Sequence, residues 1–198
     1  MERLTESILR KTNELPEGAP VSAKMLLHLG SRQAVDQSLS RLARSGKLLR
    51  AGRGMYVSPV KSRFGIHAPS AHRLVEELSI QRGEIVAPSG ATSANALGLT
   101  TQVPTQTIYW TSGRKRKLNL GKLVIQLEHV PSWQLAFAKE PAGEIVRALA
   151  WAGPERVQSV LAEIGGKVPK SELQKVVQQV SRFPGWVASA LSRSVVNA

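Results

Sequence analysis

The chain has 198 residues, and its 27 Lys and Arg against 14 Asp and Glu give it a net charge of +13. An excess of this size favours a polyanionic partner, with nucleic acid first and an anionic membrane surface second. The absence of cysteine excludes disulfides, thiol catalysis and Cys-ligated metal sites, and no apolar run is long enough to span a bilayer. We therefore expect a cytoplasmic basic protein that needs no cofactor and does not enter a membrane.

The positive charge is concentrated in the first third of the chain. Residues 1–63 contain twelve Lys and Arg against five Asp and Glu, a net charge of +7. Residues 64–130 and 131–198 each carry only +3. A region that contacts phosphates is therefore expected within residues 1–63.

Two helices are predicted before residue 30. Leu4, Ile8 and Leu15 are spaced for one face of a helix, which the run of prolines and glycine at 15–20 ends. A short second helix is predicted over residues 23–29, where Gly30 stops it.

The helix predicted from about Arg32 to Arg44 carries one apolar and one polar face. Its apolar residues fall on a stripe that would face a core: Ala34, Val35, Leu39 and Leu42. A short helix, a Gly-Ser junction and a helix with Arg and Gln at its exposed N-terminal end are typical of a helix-turn-helix. The second helix of that motif enters the major groove, where Arg pairs with guanine and Gln with adenine. Its predicted DNA contacts are Ser31, Arg32, Gln33, Asp36, Gln37, Ser40, Arg41 and Arg44.

A hairpin is predicted directly after this helix. Residues 47–50 and Met55–Val57 read as two strands joined by a glycine-rich turn with Arg53 at its tip. Such a hairpin is a wing, whose Arg53 can follow the phosphates or enter the minor groove, and we include Tyr56 among the predicted contacts. Residues 1–63 are therefore predicted to form a winged helix-turn-helix DNA-binding domain. The alternatives are a winged helix that contacts protein and a basic face that is merely solvated.

Residues 64–198 are predicted to form a second domain, which makes the fold class α+β. Helix and strand signals alternate in a small α/β unit over residues 66–130, and the chain then becomes helical. Helices are predicted at 132–139, 142–152, 154–164, 169–182 and 184–192.

Four consecutive basic residues interrupt the α/β unit. Arg114, Lys115, Arg116 and Lys117 follow Gly113 between two predicted strands. They indicate either a second nucleic-acid contact or a solvated turn that blunts a sheet edge.

The sequence offers little for catalysis. Asp36 is the only aspartate, the four histidines have no metal-ligand spacing, and no phosphate-binding loop or nucleophile elbow occurs. We therefore predict no enzyme activity, no catalytic residue and no metal site.

Several runs resemble the AbiEi antitoxins of bacterial abortive-infection toxin–antitoxin systems. Those in the winged-helix region are Gly30-Ser31-Arg32-Gln33-Ala34-Val35, Leu39-Ser40-Arg41-Leu42, Gly46-Lys47-Leu48-Leu49-Arg50 and Gly52-Arg53-Gly54-Met55-Tyr56. The more specific ones are Pro88-Ser89-Gly90 and Leu97-Gly98-Leu99-Thr100-Thr101-Gln102-Val103-Pro104, with Ala148-Leu149 further on.

The resemblance implies a DNA-binding antitoxin that represses its own operon through inverted repeats in the promoter. It also implies that residues 64–198 antagonise a nucleotidyltransferase-like toxin. The alternatives are a stand-alone winged-helix regulator and an accessory subunit of a nucleic-acid-processing enzyme, whose basic run would guide the substrate. The absence of clustered carboxylates weighs against the enzyme, since two-metal nuclease chemistry needs them.

Overall fold

Helices and short strands alternate along the chain, and the fold is α+β as predicted. A computed structural model describes residues 3–63 and 65–196. Its first elements are α1 (Leu4–Asn13), a 3-10 turn (Ala23–Leu26), α2 (Arg32–Arg44), β1 (Leu49–Gly52), β2 (Met55–Val57), β3 (Val60–Ser62), β4 (Gly65–His67) and α3 (Ala71–Arg82). They are followed by β5 (Val86–Pro88), α4 (Gly90–Ala96), β6 (Thr107–Thr111), β7 (Arg116–Leu120), β8 (Leu123–His129), α5 (Pro141–Gly165), α6 (Lys170–Gln178) and α7 (Gly185–Val196).

The chain divides into two compact units. The first consists of Met1–Glu84 and Arg116–Gln126, and the second of Ile85–Lys115 and Leu127–Ala198. This division differs from the predicted boundary between residues 63 and 64. The first unit extends further because α3 packs against the segment after α1: Gln81 Nε2 donates to Pro20 O at 2.9 Å.

The helix predicted at residues 32–44 is confirmed, and its apolar stripe forms the core of the first unit. Ser31 caps α2, since its Oγ accepts a hydrogen bond from Ala34 N at 3.3 Å. Val35, Leu39 and Leu42 are buried. The same core includes residues from α1, from the 3-10 turn and from the β1–β2 hairpin: Ile8, Leu26, Leu48 and Tyr56.

A short backbone bridge joins the helices to the β1–β2 hairpin. Val21 N donates to Tyr56 O at 2.7 Å, and Tyr56 N donates to Val21 O at 2.9 Å. The predicted helix at 23–29 is only the 3-10 turn Ala23–Leu26. Ser22, at the cap position of this turn, makes no side-chain cap hydrogen bond, so the segment lacks the stabilisation that such a cap gives to the start of an α-helix.

A second hairpin, β3–β4, was not predicted. Its strands pair antiparallel from Val60 opposite His67 to Ser62 opposite Gly65, and they form a sheet of their own. The sequence lacks the hydrophobic alternation of a strand here because the hairpin is largely exposed, so neither face needs to be apolar.

Short strands precede the helical part of the second unit. β5 pairs antiparallel with β6, with Ala87 opposite Trp110, and β6 neighbours β8. Ser89 caps α4 through a hydrogen bond of 3.4 Å from Thr92 N.

The remainder of the second unit is a helical core. Gly153 (φ 71°, ψ 175°) interrupts α5, so the predicted helices at 142–152 and 154–164 are two segments of one element. Two other predicted helices are shorter than expected: the helix at 132–139 is a 3-10 turn at Ser132–Leu135, and the helix at 169–182 becomes a 3-10 turn after Gln178. The apolar stripe at Ile145, Val146 and Leu149 is fully buried, so it is core.

One charged side chain lies inside this core. Arg147 is 2% exposed, and its Nε donates to Ser93 Oγ at 3.0 Å. Burial lowers the pKa of Arg147 to about 10, although the nearby Glu144 carboxylate acts in the opposite direction. Because 10 is still well above neutrality, the guanidinium remains charged. Among the described helices, none is both long enough and apolar enough to cross a membrane.

Two glycines of α5 give a stability test of this packing. A Cβ on Gly143 would lie 2.1 Å from Phe137 O, whereas a Cβ on Gly165 would meet no atom within 4 Å. Gly143→Ala is therefore expected to lower the free energy of unfolding by roughly 1–3 kcal/mol or more. Gly165→Ala, the control on the same helix, should be neutral or stabilise by up to about 1 kcal/mol. Equal denaturation midpoints for both variants would contradict this packing.

Candidate nucleic-acid interface

The polar face of α2 is largely exposed to solvent. Most of the predicted contacts are exposed, whereas Asp36 and Ser40 are half-buried; the exposed ones are Ser31, Arg32, Gln33, Gln37, Arg41 and Arg44. They are exposed because burial of the apolar stripe turns the opposite side of the helix outward.

Two grooves meet on this face at Ser40 and Arg44. The first groove runs along α2 and is lined by Asp36, Gln37, Ser40, Arg41 and Arg44. The second lies between α2 and the β1–β2 hairpin and is lined by Ser40, Ala43, Arg44, Arg50 and Tyr56. The structure thus brings five of the eight predicted helix residues and one hairpin residue, Tyr56, to these adjoining grooves. The other predicted contacts, Ser31, Arg32, Gln33 and Arg53, are exposed but do not line either groove.

Arg50 belongs to this surface although the sequence analysis did not include it. It is exposed, it lies directly opposite Tyr56 in the β1–β2 pairing, and it lines the second groove. Residues that face each other across two strands project on the same side of the sheet. The strand predicted at 47–50 did not reveal this placement, because β1 runs from Leu49 to Gly52 and its pairing with β2 is irregular between Arg50 and Gly52.

The arginines around the grooves have no counter-ion in the described part of the chain. The side chains of Arg41, Arg44, Arg50 and Arg53 make no hydrogen bond or ion pair there. From Gln37 to Val75 the sequence contains no Asp or Glu. Over the same stretch it has eight basic residues: Arg41, Arg44, Lys47, Arg50, Arg53, Lys61, Arg63 and Arg73. Without neutralisation inside the chain, this surface carries a positive potential that attracts anions.

Arg53 occupies the tip of the β1–β2 hairpin, as predicted. Gly52 pairs with Met55, so Arg53 and Gly54 alone form the turn, and Arg53 is exposed.

Two of the predicted contacts also have structural roles. Ser31 Oγ is already used as the cap of α2. Tyr56 is 5% exposed and belongs to the core, and its hydroxyl lies 3.5 Å from Ser40 Oγ. Contact between either residue and DNA stays a prediction.

The basic run after Gly113 is partly neutralised. Arg116 forms a two-pronged ion pair with Glu84, and the two side chains are only 15% and 14% exposed. Lys115 Nζ lies 3.5 Å from a carboxylate oxygen of Glu128. Arg116 therefore has a structural role within the first unit, while Arg114 and Lys117 are exposed. A nucleic-acid contact by this run stays a prediction.

No group of three or more His, Asp or Glu converges on a possible metal position among residues 3–63 and 65–196.

The chain matches a protein-family model. A family model described as a family of unknown function, DUF6088, matches residues 7–178, which run from within α1 to the end of α6. No curated protein and no solved structure matches the chain.

The Arg116–Glu84 pair predicts different stabilities for two neighbouring variants. Arg116→Ala removes the ion pair from the largely buried Glu84 carboxylate and is expected to cost roughly 2–4 kcal/mol of unfolding free energy. Lys117→Ala removes the same charge from an exposed position on β7 and should change it by less than about 0.5 kcal/mol. Urea denaturation measures both, and similar midpoints would show that the ion pair does not hold this strand.

Proposed function

The chain belongs to DUF6088, a family of unknown function, and we propose that it binds double-stranded DNA through a winged helix-turn-helix within its first unit. The observation that carries this proposal is the row of uncompensated arginines that borders the two grooves of α2 and the β1–β2 hairpin. No hydrogen bond or salt bridge within the described residues accounts for these arginines, and the phosphates of duplex DNA are neutralised by arginine side chains of this kind.

The element order supports a winged helix-turn-helix. In this assignment α1, the 3-10 turn and α2 are the three helical elements, and the β1–β2 hairpin is the wing. The Val21–Tyr56 bridge anchors the wing to the helices. At 1.5 Å per residue the 13 residues of α2 are about 20 Å long, and a major groove about 12 Å wide admits a helix that presents a polar face.

The exposed side chains of α2 form two groups along the helix, one suited to base edges and one suited to phosphates. Arg32, Gln33 and Gln37 lie in its N-terminal half and offer the donors and acceptors that read base edges. Arg41 and Arg44 lie towards its C-terminal end, and Arg44 shares the second groove with Arg50 of the hairpin. We assign these arginines to the phosphates, which fix the register of the helix on the duplex.

The regulatory role is the second part of the proposal. A winged helix with this surface fits a repressor of its own operon, and the resemblance to AbiEi antitoxins supports antagonism of a nucleotidyltransferase-like toxin by the second unit. The stripe at Ile145, Val146 and Leu149 is buried core, so a toxin would have to be met by other residues of that unit.

The wing gives a test of phosphate contact. Arg53→Ala should weaken binding to every duplex alike, because it removes one phosphate contact, and the slope of log K against log salt should become shallower by about 0.9. Fluorescence anisotropy with a labelled duplex from the chain's own upstream region measures the slope at several salt concentrations.

The matched control is Lys170→Ala, an exposed basic residue of α6 that loses the same charge outside the first unit. Its slope should equal that of the unchanged protein. If the unchanged protein itself shows no salt-dependent binding to duplex DNA, the proposed function is wrong.

DNA binding and toxin antagonism should separate in full-length protein. Arg41→Ala combined with Arg44→Ala removes about two phosphate contacts and should abolish repression of a reporter behind the chain's own promoter. The same variant should still protect cells that express the nucleotidyltransferase-like toxin from a foreign promoter. Loss of protection in the variant alone would mean that Arg41 and Arg44 are also needed to antagonise the toxin. If the unchanged protein does not protect either, the chain does not antagonise the toxin and acts only as a regulator.

A further inference from the structure

One ion pair on the proposed DNA-binding face, between Arg32 and Asp36, indicates which base the helix binds. We infer that Asp36 positions Arg32 to bind a guanine, so that the two residues act as one unit at the N-terminal end of α2. This inference rests on the proposed function, because it assigns sequence specificity to a helix that is proposed to enter the major groove.

The geometry of the pair leaves the reading end of the arginine free. Arg32 Nε donates to Asp36 Oδ2 at 2.8 Å, which is the length of a charge-assisted hydrogen bond. Neither Nη atom of Arg32 has a partner in the described part of the chain. The two Nη groups form a planar fork of donors, and guanine presents two acceptors, O6 and N7, at matching positions in the major groove. Among the four bases, only guanine presents two acceptors on its own edge in the major groove.

Helix stability does not account for this pair. Arg32 is the first residue of α2, where the positive end of the helix dipole disfavours a cation, and the first turn contains no acidic residue. Within a helix the stabilising order places the acid before the base, and here the base comes first. Both side chains also remain accessible to solvent, at 64% for Arg32 and 48% for the half-buried Asp36, so the pair contributes little to folding.

The charge of Asp36 is a second reason to assign this pair a role in DNA recognition. Asp36 is the only aspartate of the chain, and it lines a groove that otherwise presents the two arginines Arg41 and Arg44. A carboxylate on this face repels the DNA phosphates and weakens non-specific binding. The cost is offset if the carboxylate fixes a long arginine side chain before DNA arrives, because less conformational freedom is then lost on binding. The pair therefore lowers the affinity for DNA of any sequence and raises the discrimination between guanine and the other bases.

The experiment compares base preference with general affinity in full-length protein. A pool of randomised duplexes selects the preferred site, and titrations with all four bases at each position of that site then measure discrimination. The selected site should contain a guanine whose replacement lowers the affinity of the unchanged protein by roughly 5- to 150-fold. Arg32→Ala should abolish this discrimination, and Arg32→Lys should also lose most of it, because an ammonium has the charge without the fork.

Asp36→Asn carries the decisive result. It should reduce discrimination at the same guanine several-fold and at no other position, while binding to a random duplex becomes equal or tighter, since one repulsive charge is lost. The double variant Arg32→Ala/Asp36→Asn should show no further loss at that position, because the two residues act together. Circular dichroism and thermal melting confirm that each variant is folded.

Glu17→Gln is the charge-matched control, since Glu17 is an exposed acid of the first unit outside α2. It should leave the base profile unchanged. Additive losses at two different positions would mean that Asp36 reads cytosine directly, and this outcome overturns the inference. Unchanged base profiles in Arg32→Ala and Asp36→Asn also overturn it, whereas failure of the proposed function itself appears as absence of duplex binding by the unchanged protein.

Discussion

The pair of backbone hydrogen bonds between Val21 and Tyr56 is the constraint on which the candidate interface depends. It ties the β1–β2 hairpin to the segment between α1 and the 3-10 turn. Tyr56 is fixed at the same time in the core of the first unit, and its cross-strand neighbour Arg50 then faces the groove beside α2. An isolated two-stranded hairpin is only marginally stable, so this bridge and the burial of Tyr56 together define the position of Arg50.

Uncompensated charge on one face has an energetic consequence for the folded chain. Arginines held close together in the first unit repel one another, and burial of the α2 stripe has to offset that repulsion. A bound polyanion removes the repulsion and adds a stabilising term that grows with its concentration. The proposed function therefore couples DNA binding to the stability of the first unit, and salt should weaken both the repulsion and the coupling.

Local features of the sequence predicted the elements that carry the candidate site, and long-range features were missed. The bounds of α2 and β2 follow from the Ser31 cap, the 3.6-residue apolar period and the turn at Arg53, all of which involve near neighbours in the chain. The Val21–Tyr56 bridge and the Arg116–Glu84 ion pair join residues far apart in sequence, so no local pattern contains them. Arg116 is the clearest example of a missed long-range contact. Nothing in the run of four basic residues distinguishes Arg116, which pairs with Glu84, from its neighbours in the run.

The first unit is built from two separate segments of the chain, and this determines when it can fold during synthesis. Its N-terminal segment ends at Glu84, yet β7 in the returning segment Arg116–Gln126 contacts β1 of the hairpin. Contacts between such distant segments require closure of a long loop, which is slow and cannot begin before the second segment exists. A nascent chain can therefore fold α2 early, but the hairpin gains its last support only after residue 126 has left the ribosome. The DNA-binding surface is thus expected to mature late, when most of the second unit is still being made.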